Sequence, residues 1–346
     1  MSYTEHYCLD AAPFALTPDP RFWFESATHK KAMAYLGYGL QQAEGFIVVT
    51  GEVGAGKTTL VGLLMERLDP ARVAVVKLVS TQVEGDDILR LAAQGFDLPT
   101  EGVAKAQLLD RIERYLIDRA REGRKTLLIV DEAQNLGVSA LEELRMLSNF
   151  QSGGRALLQI LLLGQPEFRD RLASPALEQL SQRVIATHHL DGMGADEVRG
   201  YLEHRLGVVG WTGRPRFEDD ACAVLHRASG GIPRRINQFA TRVLLMAAID
   251  DVDAVDATLV ERTLSDFGDE QKAVVAPAPA GAAQNVDAPT PAAPAFAGAT
   301  DELQMRIANL EAQLEAQEAA LRRVLTLMID FVERDEAVQN VRARSA

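Results

Sequence analysis

The stretch GEVGAGKTTL, residues 51–60, sets Gly51, Gly56, Lys57 and Thr58 in the spacing G-x-x-x-x-G-K-[ST], directly behind the apolar run FIVVT. Bare backbone N–H groups and the start of a helix would converge there on an anion. Gly51, Glu52, Val53, Gly54, Ala55, Gly56, Lys57, Thr58 and Thr59 are therefore the expected phosphate cradle. In that role Lys57 reaches the outer phosphates of ATP, and Thr58 ligates Mg2+. A glycine turn with a surface lysine is the competing account. The strand-like run before the loop and the helical TTLVGLLMERL behind it favour the cradle.

A second stretch, TLLIVDEAQNL, ends its apolar run in Asp131 and Glu132. The carboxyl end of a strand is where ligands sit in open α/β sheets. Asp131 is placed to complete the Mg2+ shell, and Glu132 to orient and polarise an attacking water. An acid pair after an apolar run is common by itself. Joined to the loop, it completes the set that ATP hydrolysis needs.

Both motifs require strands to hold them. FIVVT (46–50), VAVVKLVS (73–80), TLLIVD (126–131), LLQILLLG (157–164) and RVIATHHL (183–190) are the strand candidates, separated by amphipathic segments. In KAQLLDRIERYLIDRA, for example, Leu108, Ile112, Tyr115, Leu116 and Arg119 recur three or four apart. Near-continuous apolar strands alternating with helices predict an α/β fold, a five-stranded parallel sheet covered on both faces. Residues 194–268 show no convincing strand and predict an all-helical unit. In LEELRMLSNF, Leu141, Leu144, Met146 and Leu147 are expected in the core.

Composition limits the partners. The 346 residues carry a formal net charge of −13, which weakens any role in coating DNA or an anionic membrane. Two cysteines, Cys8 and Cys222, are too few for a disulfide framework, so a reducing compartment is expected. The six histidines lack metal-ligand spacing; His188 and His189, adjacent on a strand, would face opposite ways. MSYTEHYCLD lacks the features of a secretory signal, and no apolar stretch approaches the roughly 18 residues that span a bilayer. A cytoplasmic protein without a transmembrane segment is the expectation.

Five regions follow. Residues 1–44 form a segment near the nucleotide site, 45–192 the α/β ATPase core, 193–270 a helical lid, 271–300 an Ala/Pro-rich disordered linker, and 301–338 a coiled-coil helix. The last rests on Leu303, Ile307, Leu310, Leu314, Gln317, Leu321, Val324, Met328 and Phe331 at heptad spacing. Self-association or a partner helix is expected of it, and docking on its own globular part is the alternative. Phe14, Phe22, Trp23 and Phe24 read either as local core or as the floor of an adenine site.

The acid pair falls on the third strand, leaving one strand between it and the phosphate loop in sequence, and this order resembles the AAA+ ATPases. The resemblance implies three further site residues. Gln165, just past LLQILLLG, matches the polar sensor, where Asn or Thr is more usual. Arg183 in LEQLSQRV matches an arginine that acts on a neighbouring subunit's nucleotide, with helix capping as its other reading. Arg234 in GGIPRRIN matches the lid arginine, with Pro233 starting the helix and Arg235 the alternative.

Longer strings narrow it. PFALTPDPRFWFESATHKKAMAYLGYGLQQAEGFIVVTGEVGAGKTTL, LLIVDEAQNLGVSALEELRMLSNFQ, LLLGQPEFRDRL, LEQLSQRVIATHHL and GGIPRRINQ together resemble the ExeA/GspA-type secretion ATPases over residues 3–268. Within these, the ATPase encoded in exosortase (PEP-CTERM) and exopolysaccharide loci is the nearest likeness. This implies a homo-oligomer, a ring being one form, that binds and hydrolyses ATP to energise or regulate envelope export. Its partners would be export or polysaccharide-assembly proteins, which would hold it peripherally at the inner membrane. ExeA-type relatives carry a membrane span and a peptidoglycan-binding domain where this sequence has the Ala/Pro linker and helix, so direct cell-wall binding is not expected. A DNA-dependent ATPase that regulates transposition, or a nucleotide-gated scaffold with little turnover, are the alternatives. No helix-turn-helix or basic surface supports the first.

Overall fold

A computed structural model describes residues 2–17, 19–79 and 85–275, of which 267–275 by backbone alone. Five strands form one parallel sheet: β1 Phe46–Gly51, β2 Val73–Val79, β3 Lys125–Asp131, β4 Leu158–Gly164 and β5 Val184–Leu190, in the order β2-β3-β4-β1-β5. The central strands β1, β3 and β4 are buried almost throughout, as their unbroken apolar runs require. The edge strands β2 and β5 alternate in exposure.

Among the described residues, six helices of seven residues or more belong to this sheet: α1 Ala27–Gln42, α2 Lys57–Arg67, α3 Asp86–Gly95, α4 Lys105–Arg121, α5 Val138–Leu147 and α6 Pro166–Leu172. The period of two along each strand sorts side chains between two cores. Val48, Leu128, Val130 and Ile160 pack with Leu89, Ile112, Leu116 and Leu144 on one face. Ile47, Val49, Ile129 and Leu161 pack with Leu36, Leu60 and Leu64 on the other.

A third core lies in the helical part, built from α7 Val198–Gly207, α8 Asp219–Ser229, α9 Pro233–Ile249 and α10 Ala257–Val275. Tyr7, Phe14 and Phe22 are buried in it, so the first residues of the chain pack with its helical end and α1 packs with the sheet.

Three expectations need correction. Met146 is 48 % exposed, because it falls two residues after buried Leu144 and one before buried Leu147, off the inward stripe of α5. The helical part holds a two-residue parallel pair, Arg216–Phe217 with Ala254–Val255, and a hairpin pairs Gln151–Ser152 with Arg155–Ala156. Strands of two residues leave no periodicity to read. The backbone of α10 runs to Val275, five residues past the expected lid boundary at 270. The rest of the linker (276–300) and the heptad segment (301–338) lie outside the described residues.

Candidate functional site

The loop between β1 and α2 turns through Gly54 at φ +87° and Gly56 at φ +97°, backbone that L side chains rarely adopt. A Cβ on Gly54 would stand 2.3 Å from the Cβ of Arg234, and one on Gly56 would stand 2.8 Å from Nε2 of His29. Glycine therefore lets two other elements close on the loop. Lys57 opens α2 and is 8 % exposed, its Nζ donating to the carbonyl oxygens of Gly51 (2.6 Å) and Glu52 (3.1 Å). Burial pushes its ammonium below the ordinary lysine value, opposed by the charges of Glu132 and Asp131.

Thr58, one residue on, donates its hydroxyl to Oδ2 of Asp131 at 3.2 Å, joining the two motifs across 73 residues of sequence. Oδ1 of the same carboxylate accepts the backbone N–H of Glu132 at 3.1 Å. A hydroxyl and a carboxylate are hard oxygen donors, and Mg2+ takes few protein ligands while keeping several waters, so the pair fits that ion.

Glu132 sits at φ +55° and lines the same cavity as Lys57 and Thr58. Its Oε2 accepts Gln134 Nε2 at 2.5 Å and Gln165 Nε2 at 3.4 Å. Gln134 Oε1 in turn accepts the backbone N–H of Gln165 at 3.0 Å. Arg171 on α6 donates to the carbonyls of Gln134 (2.5 Å) and Leu136 (2.7 Å), pinning the turn. Gln134 escaped the sequence reading although it stands two residues after Glu132, because an amide inside a turn has no motif of its own.

The cavity, about 260 Å³, opens between the loop, residues 15–17 and 22–24, and the helical part. Phe22, Trp23 and Phe24 line it while Phe14 and Phe22 are buried in the helical core, so the aromatic cluster is divided between wall and core. Arg205 on α7, 8 % exposed, ties these pieces together. Its guanidinium donates to the carbonyls of Pro13 (2.7 Å) and Ala15 (3.4 Å) and to the Tyr201 hydroxyl (3.3 Å), and lies 4.6 Å from the Phe22 ring centre. The spacing of Tyr201 and Arg205, four apart on one helix face, was the only trace of this in the sequence.

Arg234, at the start of α9, lines the cavity and donates its backbone N–H to Gly54 O at 3.3 Å. Arg235 is not among the lining residues. Arg183 stands elsewhere. It is exposed, its carbonyl accepts the N–H of Phe46 at the amino end of β1, and the loop follows the carboxyl end of that strand, about 15–20 Å along it. The chain does not bring Arg183 to its own loop.

Residues 40–172 match the family model for the AAA domain. The chain is 39 % identical over 246 residues to General secretion pathway protein A of Aeromonas hydrophila, a match covering 71 % of this chain and 45 % of that protein, so it spans under half of the relative's length. Among solved structures, Aeropyrum pernix ORC2 superposes with TM-score 0.55 at 19 % identity over 74 % of this chain and 72 % of that one. Cdc6p of Pyrobaculum aerophilum gives 0.53 at 14 % identity, covering 75 % and 71 %. Drosophila ORC gives 0.51 at 17 % identity, covering 79 % and 67 %. One strand stands between the phosphate loop and the acid pair in sequence, β4 stands between them in the sheet, and with these likenesses the protein has the P-loop AAA fold.

Proposed function

We propose that the protein binds ATP with Mg2+ and hydrolyses it. The contact that carries this reading is Thr58 against Asp131, 3.2 Å apart, with Lys57 and Glu132 on the same cavity. In this role the backbone N–H groups of residues 54–59 receive the phosphates, and Lys57 turns its ammonium from the loop carbonyls to the outer oxygens. Thr58 and Asp131 would hold the Mg2+, which when bound offsets charge on the β- and γ-oxygens. Glu132 accepts hydrogen bonds from the attacking water and draws off its proton, held in aim by Gln134 and Gln165. Arg234 neutralises charge that spreads over the γ-phosphoryl group, and Arg183 does so for a neighbouring copy in a homo-oligomer.

The similarity to a general secretion protein supports ATP use in envelope export, and the long strings quoted above favour an exosortase or exopolysaccharide pathway. On this reading the protein acts on the cytoplasmic side, held at the inner membrane by partners. No helix among the described residues is long and apolar enough to cross a membrane.

Phosphate release tests the chemistry. Lys57→Ala should lose ATP binding, and Glu132→Gln should keep binding while turnover drops at least about a hundredfold. Wild-type turnover in both variants would overturn the reading. For the pathway, a deletion strain should recover export with the wild-type chain and not with Lys57→Ala.

A further inference from the structure

Asp131 has a third partner that none of the site chemistry above uses. Lys77, on the edge strand β2, places Nζ 3.3 Å from Oδ2 of Asp131, the same oxygen that accepts the Thr58 hydroxyl. The register explains the meeting: Lys77 aligns with Ile129 and Val79 with Asp131, so with a period of two Lys77 and Asp131 project from the same face of neighbouring strands. The Lys77 side chain is 27 % exposed and that of Asp131 7 %, so the cation has a route to water that the anion lacks. The pair thus sits at the position where Thr58 and Asp131 would hold a divalent cation.

We propose that Lys77 is a tethered monovalent stand-in for the divalent cation, and that it makes metal entry at Asp131 conditional on the arrival of nucleotide phosphates. The proposal rests on the nucleotide-binding reading given above. A dication held through Oδ2 would lie a few ångströms from the ammonium, at a partly buried site where like charges are poorly screened. Metal alone must therefore evict Lys77 from its carboxylate with no phosphate charge to offset the repulsion. A triphosphate brings several negative charges to the adjacent loop and reverses the local field. The dication then gains both the phosphates and Asp131, and Lys77 turns outward into solvent. Lys77 is a positioning residue in this scheme, acting through Asp131 and touching neither reacting atom.

Mn2+ as probe, with free ion followed by electron paramagnetic resonance during titration of the full chain, reads this without turnover. In the absence of nucleotide, Lys77→Met should bind Mn2+ at least about tenfold more tightly than wild type, and Lys77→Arg should behave as wild type. Adding Asp131→Asn to Lys77→Met should remove the gain. With ADP present, the difference between wild type and Lys77→Met should narrow. Should Lys77→Met lower the melting temperature, Lys77→Gln serves in its place with the same expectation. Equal Mn2+ affinity in wild type and the neutral variants, or a gain that survives Asp131→Asn, would overturn the proposal. Failure of the nucleotide reading looks different: ATP then does not bind wild type with or without metal, while the nucleotide-free Mn2+ comparison still decides the role of Lys77.

Discussion

His29 shows how much of the site lies in side chains that never touch a phosphate motif in sequence. It is 5 % exposed, its Nδ1 is 2.7 Å from Ser26 Oγ, its ring meets Trp23 edge-on at 4.9 Å, and its Nε2 backs onto Gly56. Burial holds its pKa below the ordinary 6.5, against smaller opposing effects of the Ala55 backbone, Glu197 and Glu25. The unfolded chain therefore takes up a proton near pH 6.5 that the folded chain resists, so stability present above that pH is lost as pH falls through it. Each pKa unit of depression is worth about 1.4 kcal/mol. His188, also held low, first by burial and then by Lys31, contributes in the same window. Between pH 7 and 5, denaturant unfolding of wild type should lose stability more steeply than His29→Gln; equal slopes would refute the assignment to His29. Gln134 works at the same scale, since one amide fixes both the Glu132 carboxylate and the backbone N–H of Gln165, the residue before α6.

Elements meet at Arg205. It joins α7 to the backbone of residues 13–15, sequence partners 190 or more positions away, and so holds the N-terminal segment as a wall of the cavity. Replacing it by Met keeps the stem and leaves the carbonyls of buried Pro13 and exposed Ala15 without their donor. Such a loss costs about 3 kcal/mol. Arg205→Met should be destabilised by that order in chemical denaturation and should bind ATP more weakly. Arg205→Lys should not restore either property, because one ammonium cannot span two carbonyls and lie against the Phe22 ring. An unchanged unfolding midpoint in Arg205→Met would show that the segment is held by its aromatic contacts alone. The sheet itself was largely legible. The strands predicted at 46–50, 73–80, 126–131, 157–164 and 183–190 agree with the observed ones to within a residue at each end, because strands buried on two faces must be apolar at nearly every position. The two-residue pairs were not legible, since two residues carry no period; Met146 was misplaced although the period of α5 already turns it outward.

For the whole molecule, the position of Arg183 sets the question of assembly. It is exposed at the end of the sheet remote from its own loop, so any catalytic role falls on a second copy. Turnover per chain should then rise with protein concentration, and Arg183→Ala should lose up to about a thousandfold in rate while keeping ATP affinity. Mixing Arg183→Ala with Lys57→Ala should recover part of the activity, as each supplies what the other lacks. A mixture no more active than its components would remove Arg183 from the site. The sequence by itself determined the chemistry on offer. The phosphate loop with Lys57 and Thr58, and the acids Asp131 and Glu132, are short segments whose spacing along the chain already dictates strand, turn and helix. Only the tertiary structure decided what surrounds them: Lys77 on Asp131, Gln134 between Glu132 and Gln165, and Arg205 fastening the N-terminal segment. Those contacts join residues from separate elements or turn one side chain within a loop. Strand register and packing set them, and no local pattern in the sequence records either.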